Sequence, residues 1–171
     1  SRELEILNDL GRSLNRTLTL EEVVRSAISG AINATGSDLA LLFRRKNNEL
    51  LLCGLGPESS LFLDGEYHRV THRVGKCLCG LAVSEGKSIF SKNIQDDPRC
   101  TMEECKKVGL RSCATLPLYG ADEIMGILAL AKFEAYDFEQ QESFLETMAS
   151  QISTAINNAL LHDKVVRHAN M

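Results

Sequence analysis

Two pairs of short apolar runs, each pair split by a polar turn, constrain this chain more than any other feature. Leu39-Ala-Leu-Leu-Phe43 and Leu50-Leu-Leu-Cys53 are separated by Arg44-Arg-Lys-Asn-Asn48, and Ser112–Tyr119 and Ile124–Ala131 by Gly120-Ala-Asp-Glu123. Short runs bounded by turn residues in this way read as β-hairpins. Pro117 has no N–H to give to a ladder, so it belongs at an edge or bulge of its strand. Two hairpins make an antiparallel sheet with two faces to cover, and the flanking sequence supplies the cover.

The N-terminal segment places Leu4, Leu7, Leu14 and Leu18 at helical spacings, with Gly11 as a weak point. Thr19-Leu-Glu-Glu22 is a capping box that starts a second helix. Val23, Val24, Ala27, Ile28, Ala31 and Ile32 form its buried stripe, and Gly36 stops it. Asp137-Phe-Glu-Gln140 opens a third long helix, in which Leu145, Met148, Ile152, Ala155 and Ala159 alternate by three and four to about His162. Between the hairpins lie a segment over 54–73 with no clear period except a candidate strand at Tyr67–Val70, a short helix from Leu78 to Glu85, and a strand at Ser88–Ser91. Thr101-Met-Glu-Glu104 is a further capping box, opening about two helical turns that stop at Gly109. The order predicts an α+β fold: a central antiparallel sheet, the N- and C-terminal helices on one face, and short helices and loops on the other.

The 171 residues suit one domain large enough for a core without disulfide staples. Nineteen basic against 23 acidic residues leave a net charge of −4 and no basic block, which argues against nucleic acid as partner. No apolar run is long enough for a membrane span, so direct membrane contact is not expected. Ser1 in place of a methionine suggests a segment of a longer polypeptide. The expected location is the cytoplasm, where thiols are normally reduced.

Five of the six cysteines fall within the 37 residues from Cys77 to Cys113. Cys77 and Cys79 precede a short helix, where backbone N–H groups favour thiolate. Cys100 and Cys105 flank the Thr101 capping box at the two positions of a hydrophobic staple, so packing alone can account for them. The two pairs together offer four thiolates to zinc or an iron–sulfur centre. Neither spacing matches the usual zinc-knuckle or ferredoxin runs, and packing, metal binding and disulfide switching all stand open. Cys53 and Cys113 read as core. His68 and His72 have a metal-compatible spacing only on a helix, which this stretch is not, so they read as surface histidines. Arg99 and Arg111 flank the second short helix and are candidates for holding an anionic ligand, with plain solvation the competing reading. No nucleophile elbow or phosphate-binding loop occurs.

Several segments in this order resemble the GAF family of small-molecule sensory domains. They are Leu20-Glu-Glu-Val-Val24, Gly80-Leu-Ala-Val-Ser-Glu-Gly86, Asn93-Ile-Gln-Asp-Asp-Pro98, Gly109-Leu-Arg-Ser112 with Leu116-Pro-Leu118, Ile124-Met-Gly-Ile-Leu-Ala-Leu130 and Asp137-Phe-Glu139. The match covers roughly residues 16–162. It implies a non-catalytic, ligand-responsive module of a signalling protein such as a sensor histidine kinase, with a pocket between the sheet and the middle segment. The ligand is left unnamed, because the fold hosts many. On this reading residues 1–18 are a signalling and dimer helix, 19–162 the sensory domain, and 163–171 the start of a linker to an output domain in the same polypeptide. The terminal helices are expected to form a parallel homodimer. Two alternatives come with the resemblance: a cysteine-based enzyme like the methionine sulfoxide reductases of this fold, and a structural dimerisation module with an empty pocket.

Overall fold

A computed structural model describes residues 2–16, 19–57 and 72–169. The elements are α1 (Arg2–Asn15), α2 (Leu20–Thr35), β1 (Leu39–Lys46), β2 (Glu49–Gly56), β3 (His72–Arg73), α3 (Cys77–Glu85), β4 (Ile89–Ser91), α4 (Glu103–Lys107), β5 (Ser112–Tyr119), β6 (Ile124–Lys132) and α5 (Glu142–Ala169). Leu18 and the candidate strand at Tyr67–Val70 lie outside the described residues, as does His68.

Local chemistry accounts for the helix ends. Thr19 Oγ1 accepts from the Glu22 backbone N–H at 3.2 Å, and Gly36 closes α2 in the left-handed region at φ +68°. Both are the residues whose side chain, or lack of one, suits those positions. Asp137 caps the turn of 3₁₀ helix that leads into α5 by accepting from Glu139 N–H at 3.1 Å. Gly11 does not interrupt α1, whose Leu10 and Leu14 are buried in the upper core. Tertiary packing there outweighs the modest helical cost of one glycine.

Among the described residues the sheet has six strands in the order β3-β2-β1-β6-β5-β4, with every paired neighbour antiparallel. Pairing of β1 with β6 joins the two hairpins at the centre, Leu42 opposite Leu128. β4 reaches only from Cys113 to Thr115, so Pro117 stands beyond the short outer strand, next to the irregularity at Leu118/Tyr119. Cys53 is not core. It is the extra residue of a bulge, with Leu42 opposite Gly54 and Phe43 opposite Leu52, and it is exposed. Its thiol donates to the Leu42 carbonyl at 3.3 Å.

Each sheet face carries its own core, as the alternation of side chains requires. The upper face (Ala40, Leu42, Leu116, Leu118, Leu128, Leu130) packs against α1, α2 and α5 through Leu14, Ala27, Leu145, Met148 and Ile152. The lower face (Leu39, Leu41, Phe43, Ile127, Ala129) packs against α3 and the segment up to Leu110, including Cys77, Cys79 and Cys100. No helix among the described residues is long and apolar enough to cross a membrane.

Candidate functional site

The chemistry-bearing residues gather beneath the lower face, where α3 folds back on β3. After Arg73 the chain turns through Gly75, at φ +86°. The Lys76 N–H donates to the Arg73 carbonyl at 3.0 Å, and the Gly75 N–H to the Gly80 carbonyl at 2.8 Å. Gly80 permits this closeness, because a Cβ at that position would run into the Arg73 carbonyl oxygen.

The turn sets Cys77 against His72. Cys77 adopts φ +53°, a left-handed conformation that costs a non-glycine residue on the order of 1–3 kcal/mol. Its Sγ lies 3.2 Å from His72 Nδ1, and its backbone N–H donates to Thr101 Oγ1 at 3.1 Å. His72 is buried at 8% exposure, with its ring 4.7 Å from that of Phe43. The surface reading of His72 is therefore corrected: packing on Phe43 and Cys77 buries it. The segment before it carries no periodicity to announce this; the Gly75 and Gly80 pair, which folds α3 back on β3, was the available signal.

The two neighbouring thiols are driven apart electrically. Cys77 is held well below the ordinary thiol range, first by a hydrogen bond from the Cys79 thiol, then, against the opposing effect of burial, by His72 and the Gly80 backbone. Cys79 is pushed well up by that same hydrogen bond, by burial and by the charge of Cys77, with smaller contributions from Cys113 and Cys105. The two shifts run in opposite directions, favouring negative charge on Cys77 and the proton on Cys79. Such separation of two like groups marks a division of roles.

The remaining cysteines lie around this pair. Cys100 is buried and its thiol is raised, chiefly by burial. Cys105 is half-buried on α4. Cys113 is partly exposed as a residue, yet its thiol is enclosed, and burial pushes it well up. None of the six cysteines is in a disulfide. Thr101 does not cap α4 as the capping box suggested: the helix starts at Glu103, and the hydroxyl accepts from Cys77 instead. The staple geometry expected of Cys100 and Cys105 goes with that cap.

Among the described residues no three His, Cys, Asp or Glu side chains are assembled as a group that would hold a metal ion. Cys77, Cys79, Cys100 and Cys105 share one face of the sheet without forming the four-thiolate set that zinc or an iron–sulfur centre needs. The two arginines also stand apart from the thiol pair. Arg99 donates through Nε and Nη2 to both oxygens of Asp97, at 2.7–3.2 Å, and through Nη2 to the Phe90 carbonyl at 2.7 Å. These bonds hold the Asp97 carboxyl well below the usual carboxylate range. Arg111 is exposed, and its backbone pairs with Lys132 and Ile94.

β5 connects this site to the other side of the sheet. The Thr115 hydroxyl is shared between the carbonyls of Leu78 on α3, at 3.2 Å, and Ile89 on β4, at 3.3 Å. The Tyr119 hydroxyl donates to the carbonyl of Gly86, the C-cap of α3, at 3.0 Å. The Tyr119 backbone N–H donates to Ser153 Oγ at 3.1 Å, and its carbonyl accepts from Asn157 Nδ2 at 3.1 Å, both on α5. On the helical side a groove of about 1210 Å³ opens between α2, β1, β2 and α5, lined by Val24, Ile28, Leu51, Met125, Ile156 and Leu160 among others.

Comparison with known proteins agrees with this geometry. The family model described as a GAF domain matches residues 17–157. Among solved structures, the GAF domain from a phosphoenolpyruvate-protein phosphotransferase of Coxiella burnetii is 20% identical with a TM-score of 0.80, over 95% of this chain and 96% of that one. The corresponding domain from Acinetobacter gives 20% identity and a TM-score of 0.77, over 96% and 98%. Free methionine-R-sulfoxide reductase from Neisseria meningitidis, in complex with its substrate, gives 16% identity and a TM-score of 0.75, over 93% and 90%. No curated protein matches the chain.

Proposed function

Since the chain belongs to the GAF domain family, we propose that it is a non-catalytic sensory domain of a larger cytoplasmic signalling protein, of the sensor histidine kinase type. A small ligand or a thiol reaction beneath the lower sheet face is the input. The terminal helices on the upper face are the output.

One observation carries this reading: the buried Cys77 site and the long α5 are tied to the same strand, β5, through Thr115 and Tyr119. A shift of α3 therefore pulls on a residue that is also bonded to α5. Packed interfaces tend to move between discrete arrangements rather than deform continuously, so such a link favours a two-state response. Leu160 and Leu161 on α5 are exposed large apolar side chains, at 38% and 61%. They support a homodimer in which the terminal helices of two copies pack together and carry the change onward.

The test is a thermal-shift screen with nucleotides, metals and metabolites, followed by amide exchange on any stabilising compound. The sensory reading expects protection both in α3 and in α5 near Ser153–Ala159, with the α5 change reduced in Tyr119→Phe. A screen without hits, or protection confined to the lower face, favours a structural dimerisation module. Light scattering that shows a monomer at high micromolar concentration refutes the dimer.

A further inference from the structure

We propose that His72, Cys77 and Cys79 form a site for hydrogen peroxide, at which Cys77 attacks the peroxide and Cys79 then closes a Cys77–Cys79 disulfide. The inference rests on the sensory reading and names a chemical input for it.

Three features of the geometry converge on this chemistry. First, Cys77 Sγ has a nitrogen partner, His72 Nδ1, at 3.2 Å, and a second thiol, Cys79, lies two residues on in the same first turn of α3, buried in the same lower core. A nucleophile with a ring nitrogen at hydrogen-bond distance and a second thiol in the same turn has the groups that the two successive steps use. Second, Cys77 stands in the first turn of α3, where backbone N–H groups favour a negative sulfur, and its strained φ of +53° is held in place by the Thr101 hydrogen bond. Third, access is narrow. Cys77 is 5% exposed and Cys79 7%, beneath Phe43 and the sheet. Burial of this degree excludes bulky oxidants from the pair and leaves one close to water in size as the candidate. The opposite shifts of the two thiols, Cys77 down and Cys79 up, agree with these roles.

The steps balance. The Cys77 thiolate attacks one peroxide oxygen; the S–O bond forms and the O–O bond breaks. The departing oxygen takes up one proton from solvent, which His72 Nδ1, 3.2 Å from the sulfur, is placed to pass on, and leaves as water; Cys77 becomes a sulfenic acid. Cys79 then attacks that sulfur; the S–S bond forms, the S–O bond breaks, and the hydroxide leaves as water with the Cys79 proton. Overall two thiols lose two electrons to one peroxide, which becomes two waters. The new bond lies within the first turn of α3. It takes up the sulfur that His72 contacts, at the start of the helix whose C-cap is bonded to Tyr119.

The test uses the whole reduced chain treated with hydrogen peroxide, then unfolded, alkylated and digested with trypsin. Cleavage after Lys76 and Lys87 isolates Cys77 and Cys79 on one peptide with no other cysteine. The expected result is loss of two hydrogens from that peptide and its resistance to alkylation, before Cys53 reacts, by about tenfold or more in rate, because the Cys77 thiol is lowered while burial pushes the Cys53 thiol up to about 11. Cys79→Ser should instead gain one oxygen on the same peptide, and His72→Gln should slow the reaction about tenfold while Cys79 remains reactive in the unfolded chain. A bulky maleimide should label Cys53 and spare Cys77 in the native protein. Peroxide oxidation of Cys53 ahead of Cys77, a bond from Cys77 to Cys100 in place of Cys79, or an unchanged rate in His72→Gln overturns the proposal. If the disulfide forms but α5 amide exchange is unaltered, the peroxide site stands and the sensory reading fails.

Discussion

Replacing Gly80 with alanine tests how the site is built, because the same substitution at Gly11 provides an internal contrast. Both glycines are within helices, where alanine is favoured by about 0.5–1 kcal/mol. At Gly11 an added Cβ meets nothing within 4 Å, so Gly11→Ala should stabilise the protein by that amount. At Gly80 the Cβ would run into the Arg73 carbonyl oxygen, with the carbonyl carbon and the Gly75 nitrogen each at 3.0 Å. All three obstacles are backbone and cannot rotate away. They are also held by the bonds from Lys76 N–H to Arg73 and from Gly75 N–H to Gly80. Relieving the clash means opening the turn, at about 1–3 kcal/mol for overpacking and roughly 1 kcal/mol for each hydrogen bond weakened. After the helical gain is subtracted, Gly80→Ala should destabilise by about 2–4 kcal/mol, and Cys77 should lose its contact with His72. Urea unfolding of the three proteins measures both signs. A Gly80→Ala variant as stable as the parent would refute the claim that the close approach of α3 to β3 holds Cys77 in place.

Two further substitutions probe other parts of the structure. Asp97 is held below its ordinary range by Arg99, so the pair contributes stability that is present above the unfolded carboxylate value near 3.9 and is lost as pH falls toward the depressed folded value. With the guanidinium partly exposed, the gap between the parent and Asp97→Asn should be about 1–2 kcal/mol at pH 6 and shrink below about pH 4; a gap independent of pH would contradict the assignment. Met148 is fully buried between α5 and the upper sheet face, so Met148→Ala should cost about 2–5 kcal/mol in thermal unfolding, and a loss below 1 kcal/mol would mean that the core can collapse onto the hole.

Much of the architecture is legible in local chemistry. Thr19, Gly36 and Asp137 act at the helix ends because their side chains, or the absence of one, meet backbone needs that arise within three residues of them. The two hairpins follow likewise from apolar runs and turns close together in sequence. What the sequence conceals is settled by groups distant along the chain. Thr101 has the surroundings of an N-cap, yet the N–H it accepts belongs to Cys77, 24 residues earlier. His72 lies in a stretch without period, and its burial comes from Phe43 on another strand and from a turn closed by two glycines. Cys53 has an apolar neighbourhood in the sequence, but a bulge turns it outward. The candidate site depended most on such contacts. The cysteine cluster was visible, while the partner that distinguishes Cys77 from the others was not.

In the proposed sensory role this domain receives a signal and does not turn over a substrate. The most direct measurement is a multiple-turnover assay with free methionine sulfoxide and thioredoxin or dithiothreitol as reductant, because a free methionine-R-sulfoxide reductase shares the fold. The sensory account predicts no reduction above the protein-free background at any protein concentration, with Cys77→Ser indistinguishable from the parent. Sustained turnover that rises with protein and disappears in Cys77→Ser would contradict it and make the chain an enzyme.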